Sequence, residues 1–439
     1  MASRRLGHAI GRCRLPGHRL ERVATGRERR VSETVAVALT AVGLHTRRVR
    51  RAEQESAPLE LFYDLVFVFA ITQVSDVLVE DLSWHGAGHA LLALLVVWWA
   101  WDYTVWVTSE VDTNETPVRL LLLAMMLASL AMAVAVPEAF GRHGVLFAAS
   151  YVAIKVGRLL FLTFDVSTAG SDRAGRGNRL VVWFIPSSVL WIAGGIADGA
   201  TRTTIWTCAI ALDLAGPMAM YWVPWRGRLP FGAWATRTSH LVERFALFIL
   251  IALGETIVIT GATTSKLDLD LARFTAFALA FVGTAALWWL YFDGFRRIAR
   301  WRLALASTPV QLARDVYIYL HVVLVAGVLL AAIGDEFVIA HPTEVLPDAE
   351  VVVVAAGPAL YLLGQVLIRL RLMCWIYWER LAGAVACVLV GVLGTAVPGL
   401  VLQTLLVGVL VAVIALEQVV APRRAIRRTP RPGAPVNAV

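Results

Sequence analysis

The sequence predicts an all-α membrane protein of about twelve transmembrane helices, arranged as two parallel six-helix repeats. Three observations lead to this prediction. Hydrophobic residues make up 58% of the 439-residue chain and charged residues only 16%, which is too apolar for a soluble globular domain. Apolar runs of about 18–22 residues recur along the chain, the length that crosses the hydrocarbon core of a bilayer. Short motifs of the first half also return, in the same order, in the second half.

Both ends of the chain are basic and are predicted to lie outside the helical body. Residues 1–52 carry 13 Arg and 3 Glu, and residues 421–439 carry 5 Arg and no acidic residue. The tails, taken as residues 1–56 and 421–439, are expected to be disordered markers of topology, or alternatively to lie on the membrane surface against anionic headgroups. Because the positive charge belongs to the tails, no nucleic-acid partner is predicted.

Twelve apolar segments are predicted to span the membrane. They lie near residues 60–79, 86–107, 118–136, 144–164, 180–198, 203–222, 239–261, 271–293, 312–333, 350–370, 380–397 and 399–418. An even number places both termini on one side, and arginine is enriched on the cytoplasmic side of membrane proteins. The predicted inner loops and helix ends hold 14 Arg, whereas the outer loops hold 3 Arg and 1 Lys. A multi-pass protein of the cell (inner) membrane with both termini cytoplasmic is therefore expected.

The two halves, residues 57–225 and 226–420, share six weak motif matches. Four of these pairs are VWWAWDY (97–103) with LWWLYFD (287–293), YVAIKVGR (151–158) with YLLGQVLIR (361–369), NRL (178–180) with ERL (379–381), and IALD (210–213) with IALE (414–417). Because six is an even number, repeats of six helices have the same orientation in the membrane. Chance similarity between apolar helices is the alternative.

Ionisable residues in or at the ends of the predicted spans are the candidate functional positions. A charge at mid-bilayer costs at least ~2.5–3.5 kcal/mol, so it needs a partner or a function. The candidates are Glu60, Asp64, Asp102, Lys155, Arg158, Asp213, His240, Glu243, Arg244, Glu255, Asp293 and Arg369. Glu60 and Asp64, four residues apart, share one helix face and are expected near the inner membrane boundary.

Pairing between helices is expected to neutralise most of these charges. The predicted sets are Glu60, Asp64 and Asp102 with Lys155 and Arg158, and Glu243 and Asp293 with Arg244 and Arg369. Two interpretations remain open: a static brace between helices, or a cation- or proton-binding site at the mouth of a pathway. Glu255 and Asp213 lack a matched basic partner, which suits either proton coupling or a hydrogen bond to a neighbouring hydroxyl.

Other motifs give weaker indications. His240 could pair with Glu243, three residues on, and His321 is expected to be a satisfied core residue. The Trp residues at 98–106 and 288–289 are typical of an interfacial aromatic belt, with a ligand-stacking site as the alternative. His85 and His89 form a single HxxxH, which is a weak metal signal. No metal, cofactor or catalytic residue is predicted, since the usual nucleophile, phosphate-binding and metalloprotease motifs do not occur.

Two stretches carry a family resemblance. LELFYDLVFVFAITQ (59–73) and HLVERFALFILIALGE (240–255) resemble the signature stretches of the bacterial low temperature requirement A family, over about residues 56–420. Tyr63 stands where many members have Phe. The family is named for growth at low temperature, so the resemblance implies a polytopic membrane protein and a phenotype.

The first stretch also resembles the opening helix of duplicated six-helix potassium channels that carry a Phe-Ser-Asp motif. Phe62 and Asp64 match its Phe and Asp, whereas Tyr63 replaces the Ser and Pro58 stands in place of the preceding Arg. In the second half Phe245 is followed by no Asp. The resemblance implies the duplicated six-helix plan.

The sequence therefore predicts a channel or transporter for a cation, a proton or a small solute, with the lipid bilayer as its surroundings. One alternative is a membrane enzyme acting on lipid or a lipid-linked substrate, for which a His240–Glu243 pair open to lipid would be diagnostic. The other is a structural or sensory scaffold for cold adaptation, for which every charge would be paired. No oligomeric state is favoured.

Overall fold

The computed structural model of the chain describes residues 58–109, 113, 115–161, 170–229, 238–293 and 295–428. Within these ranges the protein is built from helices, without strands. The predicted N-terminal tail lies outside the described residues. The last helix continues to Arg428, so the first part of the predicted C-terminal tail is helical.

A helix overlaps each of the twelve predicted spans. In chain order the helices are α1 (Pro58–Glu80), α2 (Trp84–Thr108), α3 (Thr116–Ala135), α4 (Gly144–Phe161), α5 (Gly170–Ile196), α6 (Gly199–Met218), α7 (Thr238–Ser265), α8 (Leu271–Phe292), α9 (Phe295–Leu305), α10 (Pro309–Ala340), α11 (Asp348–Met373), α12 (Trp378–Leu393) and α13 (Gly399–Arg428). The short amphipathic α9 occupies a stretch that the sequence predicts as a loop.

Eleven of the described helices are long and apolar enough to cross a membrane. Of the twelve predicted spans, only α6 is missing from that set, since its first half is rich in Thr and it carries Arg202 and Asp213. Its 20 residues nevertheless give it a length of about 30 Å.

The helices α1 and α7 are parallel neighbours. Glu60 of α1 contacts His240 of α7 at 3.0 Å, and Asp64 contacts Arg244 at 2.6 Å. Further along, Thr72 donates a hydrogen bond to Glu255 at 2.8 Å. The contacts advance in the same direction along both helices, so both helices begin on the same side of the membrane. The chain must therefore cross the membrane an even number of times from the start of α1 to the start of α7. Because α1 to α5 account for five crossings, α6 must cross as well.

Helix α2 lies in the interior of the bundle. In its apolar 18-residue stretch, 83% of the residues are buried, the largest share among the spans. The side chains of Trp98, Trp99, Trp101 and Trp106 are all buried. The predicted interfacial belt is therefore wrong for these residues, because α2 is surrounded by other helices and its indoles pack against them. Trp288 and Trp289 on α8 are exposed, as a belt requires.

Helix α10 is interrupted by a π-helical segment. An α-helical turn (Pro309–Ala313) leads into the π segment (Arg314–Leu320), and regular helix follows (His321–Ala340). Side chains satisfy the backbone there, since Trp98 donates to the carbonyl of Ile318 and the Nδ1 atom of His321 contacts the carbonyl of Val316, both at 2.8 Å. Single-turn π segments are frequent at functional sites.

Small residues bring α10 and α11 into close contact. A Cβ atom on Gly327 would lie 2.7 Å from the backbone nitrogen of Tyr361, and one on Gly357 would lie 2.6 Å from that of Ala331. Glycine at such positions lets helix backbones approach each other, the usual packing device inside membranes.

Candidate functional site

A group of charged side chains joins the first and second halves of the chain. We call it the junction cluster: Glu60 and Asp64 of α1, Trp101 of α2, and His240 and Arg244 of α7. The Arg244 guanidinium lies 2.8 Å from Glu60 and 2.6 Å from Asp64. His240 lies 3.0 Å from Glu60, and Trp101 donates to Asp64 at 2.8 Å. All five side chains are buried.

The cluster follows from matched spacing on two parallel helices. Residues four apart lie on one helix face, and both Glu60/Asp64 and His240/Arg244 have this spacing. Parallel packing of α1 and α7 then places one pair against the other, residue by residue. Trp101 closes the group from α2, where Trp98 and Trp101 also pack against Phe245, the residue after Arg244.

The junction cluster is incompletely neutralised. It contains two carboxylates and one guanidinium, so it carries a net charge of −1 unless one further proton is bound. Among the described residues, Asp64 Oδ2, His240 Nδ1 and Arg244 Nε are buried without a hydrogen-bond partner. Buried charge without compensation is costly.

A second buried group, the Lys155 cluster, lies entirely in the first half. Lys155 of α4 contacts Asp213 of α6 at 2.7 Å. Ser187 donates to the same carboxylate at 2.5 Å, Trp191 at 2.9 Å and Tyr151 at 3.0 Å, and Lys155 also donates to Ser187. Charge is balanced, and none of these side chains is among the buried polar groups found without a partner in the described ranges.

The second half contains another polar group, the Glu417 cluster, in which two guanidiniums face one partly buried carboxylate. Arg380 of α12 makes a bidentate pair with Glu417 of α13 at 2.6 and 2.8 Å, and also donates to Gln365 of α11 at 2.6 Å. Arg369 lies 3.6 Å from Glu417. The motif matches relate Asp213 to Glu417 and Lys155 to Gln365, so the matched positions contribute to buried polar groups in both halves.

A small cavity lies beside α2, on the side of the molecule where α1 begins. We call it the Asp102 cavity. Its lining includes Trp99, Asp102 and Trp106 of α2, Arg158 of α4, and Arg314 at the start of the π segment. The Arg158 guanidinium acts electrostatically on Asp102 and lies 4.4 Å from the ring centre of Tyr103. The cavity is therefore aromatic with charges of both signs.

A second small cavity lies between α1, α7 and α10. Glu255 lines it and accepts the hydrogen bond from Thr72. No basic residue in the described ranges forms an ion pair with Glu255, as the sequence predicts. Along α1 this cavity lies beyond the junction cluster, on the way to the opposite side of the molecule.

The structure changes several predicted pairings. Glu60 and Asp64 pair with Arg244 instead of Lys155 and Arg158, because α1 packs directly along α7. Lys155 pairs with Asp213, so Asp213 does have a basic partner. Of the first predicted set, only the interaction between Asp102 and Arg158 is found.

The second predicted set is also rearranged. Arg369 has Glu417 as its nearest acidic partner, whereas Asp293 accepts a hydrogen bond from Gln418 at 2.7 Å and acts on Arg369 only at longer range. The predicted His240–Glu243 pair is wrong, because His240 turns towards Glu60 on α1. Glu243 is partly buried on a neighbouring face of α7.

The remaining histidines behave as structural residues. The Nε2 atom of His321 contacts the Tyr291 hydroxyl at 3.1 Å, which confirms the predicted satisfied core position. His89 stacks on Phe140 and contacts Thr203. Between α1 and α2, hydrogen bonds from Ser83 lower the pKa of Asp81, which lies 3.5 Å from His85. The described residues contain no group of three or more potential metal ligands.

Sequence reasoning missed several buried polar residues. The sequence predicts an aromatic-belt position for Trp101 and indicates Arg380 and Glu417 only as members of repeated motifs. Arg202 donates to backbone carbonyls, among them those of Ala139 and Ala197, and so ties the loop after α3 to the loop before α6. The repeated motifs IALD/IALE and NRL/ERL were the available signal for Glu417 and Arg380.

Comparison with known proteins identifies the family. The family model described as bacterial low temperature requirement A protein (LtrA) matches residues 55–415. The chain belongs to the LtrA family. It is also similar to RA0937 of Rhizobium meliloti (strain 1021), an uncharacterised protein, with 37% identity over 323 residues, covering 73% of this chain and 78% of the relative. The family-model match includes α1, α2 and α7, and therefore all residues of the junction cluster.

Proposed function

We propose that this LtrA protein is a membrane transporter in which the junction cluster binds and releases a proton. The charge count of the cluster carries the proposal: Glu60 and Asp64 supply two negative charges and Arg244 supplies one positive charge. With one proton the cluster is neutral, and without it the cluster holds a buried net charge. Uptake of a proton therefore changes the electrostatic attraction between the two halves.

The surroundings of the cluster favour a transporter over an open channel. Beyond Asp64, the next polar contact on the α1–α7 interface is Thr72 with Glu255. On α1, Asp64 and Thr72 are eight residues apart, about 12 Å along the helix. Phe67, Val68 and Ile71 fill the interval on α1 and are buried. A proton or cation could cross it only after a rearrangement of the helices, as in alternating access.

The arrangement of the helices supports the same proposal. Parallel α1 and α7, together with matched positions in the Lys155 and Glu417 clusters, favour two six-helix repeats of equal orientation. In transporters built in this way, ion and solute sites lie at the interface between repeats. The junction cluster occupies that position. With twelve crossings and the arginine distribution given above, both termini lie in the cytoplasm.

Proton flux through reconstituted protein tests the proposal. Full-length protein is placed in liposomes that contain a pH-sensitive dye, and a pH gradient is imposed with the membrane potential clamped. The wild type should dissipate the gradient faster than protein-free liposomes. Asp64→Asn and Glu60→Gln should each slow the dissipation of the gradient by about tenfold or more, since each removes one of the two carboxylates of the cluster.

The control is Asp335→Asn, which alters a carboxylate hydrogen-bonded to Gln403 and outside the junction cluster. It should leave the flux unchanged at equal amounts of incorporated protein. Equal flux in the wild type and both cluster variants would remove the junction cluster from the mechanism and would favour the static brace.

A further inference from the structure

A groove runs between α4 and α5, and we call it the α4–α5 groove. Its volume is about 540 Å³, which lies within the ~300–1,000 Å³ of ordinary small-molecule sites. Aliphatic side chains form most of its lining, among them Val152, Val156 and Leu159 of α4 and Ile185, Val189 and Ile192 of α5. These two helices therefore leave room for an apolar ligand.

The α4–α5 groove opens towards the surroundings of the bundle. Val156 on α4 and Ile185 and Val189 on α5 are exposed. In the apolar stretch of α5 only 33% of the residues are buried, against 83% for α2. Both α4 and α5 are long and apolar enough to cross a membrane. The mouth of the groove therefore faces the hydrocarbon of the bilayer.

The groove is long and narrow. Its wall on α5 extends from Phe184 to Ile196, twelve residues or about 18 Å along the helix. Together with the volume, this length gives a mean cross-section of about 30 Å², enough for one hydrocarbon chain. One leaflet of the hydrocarbon core is about 15 Å thick, so the groove matches a lipid chain in length and in direction.

The side chains at the middle of the groove explain why it is not filled by the protein. Ser188 and Ala193 are the small residues of the α5 wall. Lys155 lies opposite on α4, but its amine is held by Asp213 of α6 at 2.7 Å and also donates to Ser187. The one long side chain at this level is therefore directed into the Lys155 cluster, and space remains between α4 and α5.

We infer that the α4–α5 groove binds one acyl chain of a membrane lipid. Of the described residues that line it, only Lys155 and Ser188 have polar side chains, so ordered water, which needs two to four polar partners, does not suit it. An empty groove would forfeit the dispersion contacts of its lining. A hydrocarbon chain restores these contacts and needs no hydrogen bond.

The bound chain would cover the Lys155 cluster. Lys155 and Phe184 both line the groove, and the Lys155 amine lies 5.0 Å from the centre of the Phe184 ring. A chain in the groove thus keeps water away from the Lys155–Asp213 pair and strengthens the attraction between its charges. This lipid site lies outside the junction cluster, and its test does not require proton flux.

Photolabelling locates the chain. Full-length protein in detergent is incubated with a phosphatidylcholine that carries a photoreactive diazirine on one acyl chain, and mass spectrometry identifies the labelled residues after illumination. Detergent replaces loosely held lipid. Labelling should therefore concentrate on the groove residues of α4 and α5, saturate with added probe, and fall when unlabelled phosphatidylcholine is in excess. Labelling that does not saturate, or that is spread evenly over the lipid-facing helices, would overturn the inference.

Two variants fill the groove and one serves as the control. Ala193→Phe should lower the labelling of α4 and α5 by about fivefold or more, since its ring takes the place of the chain and of the chain's contacts. Ala285→Phe makes the same change at an exposed position of α8 and should be labelled as the wild type is. Ser188→Leu decides the matter if Ala193→Phe does not elute as folded protein in size-exclusion chromatography. Unaltered labelling in a folded groove variant would contradict the inference.

Discussion

The junction cluster and the Lys155 cluster are both buried and both contain charged pairs, yet they are built differently. In the Lys155 cluster one cation faces one carboxylate, and the Asp213 carboxylate accepts from four side chains. In the junction cluster one cation faces two carboxylates, and Asp64 accepts from two side chains, both at Oδ1. Balanced charge with complete hydrogen bonding favours a fixed brace, whereas an unbalanced count leaves a place for a proton.

The location of each cluster fits this difference. The Lys155 cluster joins α4, α5 and α6 within one half, where a rigid unit is useful. The junction cluster joins α1 and α2 to α7, across the boundary between the halves. Burial alone therefore does not separate a structural charge from a functional one. The proposed proton site therefore rests on the number of charges of each sign together with the elements that they connect.

The largest effect is expected for Asp213→Asn. It leaves Lys155 charged and buried without a carboxylate, which should lower the free energy of unfolding by about 3–5 kcal/mol. Denaturant unfolding in detergent measures the loss. The double variant Lys155→Met with Asp213→Asn should recover most of it, because both charges are then gone. A double variant as unstable as the single one would show that the pair is not a brace.

Arg244→Gln should cost a similar amount at pH 8, about 3–5 kcal/mol, because it leaves Glu60 and Asp64 buried without their cation. Lowering the pH protonates these carboxylates, so the loss should shrink at pH 5. For Asp213→Asn the loss of unfolding free energy should instead be larger at pH 5 than at pH 8, since acid keeps Lys155 charged. Unfolding of both variants at the two pH values measures this, and parallel pH dependence would contradict the difference between the clusters.

A smaller effect is expected for Trp101→Phe. It removes one of the two donors to Asp64, a hydrogen bond to a charged group worth about 1.5–3 kcal/mol. The matched control is Trp191→Phe, which removes one of four donors to Asp213 and should cost less. Unfolding of the two variants side by side measures the difference. A larger loss for Trp191→Phe would mean that the junction cluster is no less completely bonded than the Lys155 cluster.

The smallest change in stability is expected for His240→Gln, about 1 kcal/mol or less, because an amide can still donate to Glu60. Denaturant unfolding in detergent at a single pH, beside the wild type, measures this change. His89→Gln, which alters an imidazole in contact with Thr203 instead of a carboxylate, should cost no more than His240→Gln.

Much of the architecture was predictable from the sequence, for a simple reason. A bilayer imposes length and apolarity on every span, so periodic runs of residues locate helices without tertiary information. The exceptions are instructive. The basic stretch after α8 was predicted as a loop because an 11-residue amphipathic helix carries no spanning signal. The π segment of α10 gave no signal either, since it depends on contacts with Trp98 and His321.

The candidate site was only half predictable. The sequence identified Glu60, Asp64, His240 and Arg244 as charges that need an explanation, because their cost in the membrane is independent of the fold. Their partners were predicted incorrectly. Helix-to-helix pairing depends on which faces pack together, and hydrophobic spans differ too little in composition to specify that. The role of Trp101 is not predictable for the same reason, since the sequence does not distinguish a tryptophan buried between helices from one at the membrane interface.

By itself, then, the sequence determined that this is a polytopic helical membrane protein of the LtrA family, where its helices lie, and which ionisable residues they carry. Only the tertiary structure decided that α1 packs parallel to α7, that Arg244 faces two carboxylates, and that Lys155 faces one. The physical reason is that insertion cost is a property of each segment, whereas charge compensation is a property of neighbouring helices, and these neighbours are up to 184 residues apart.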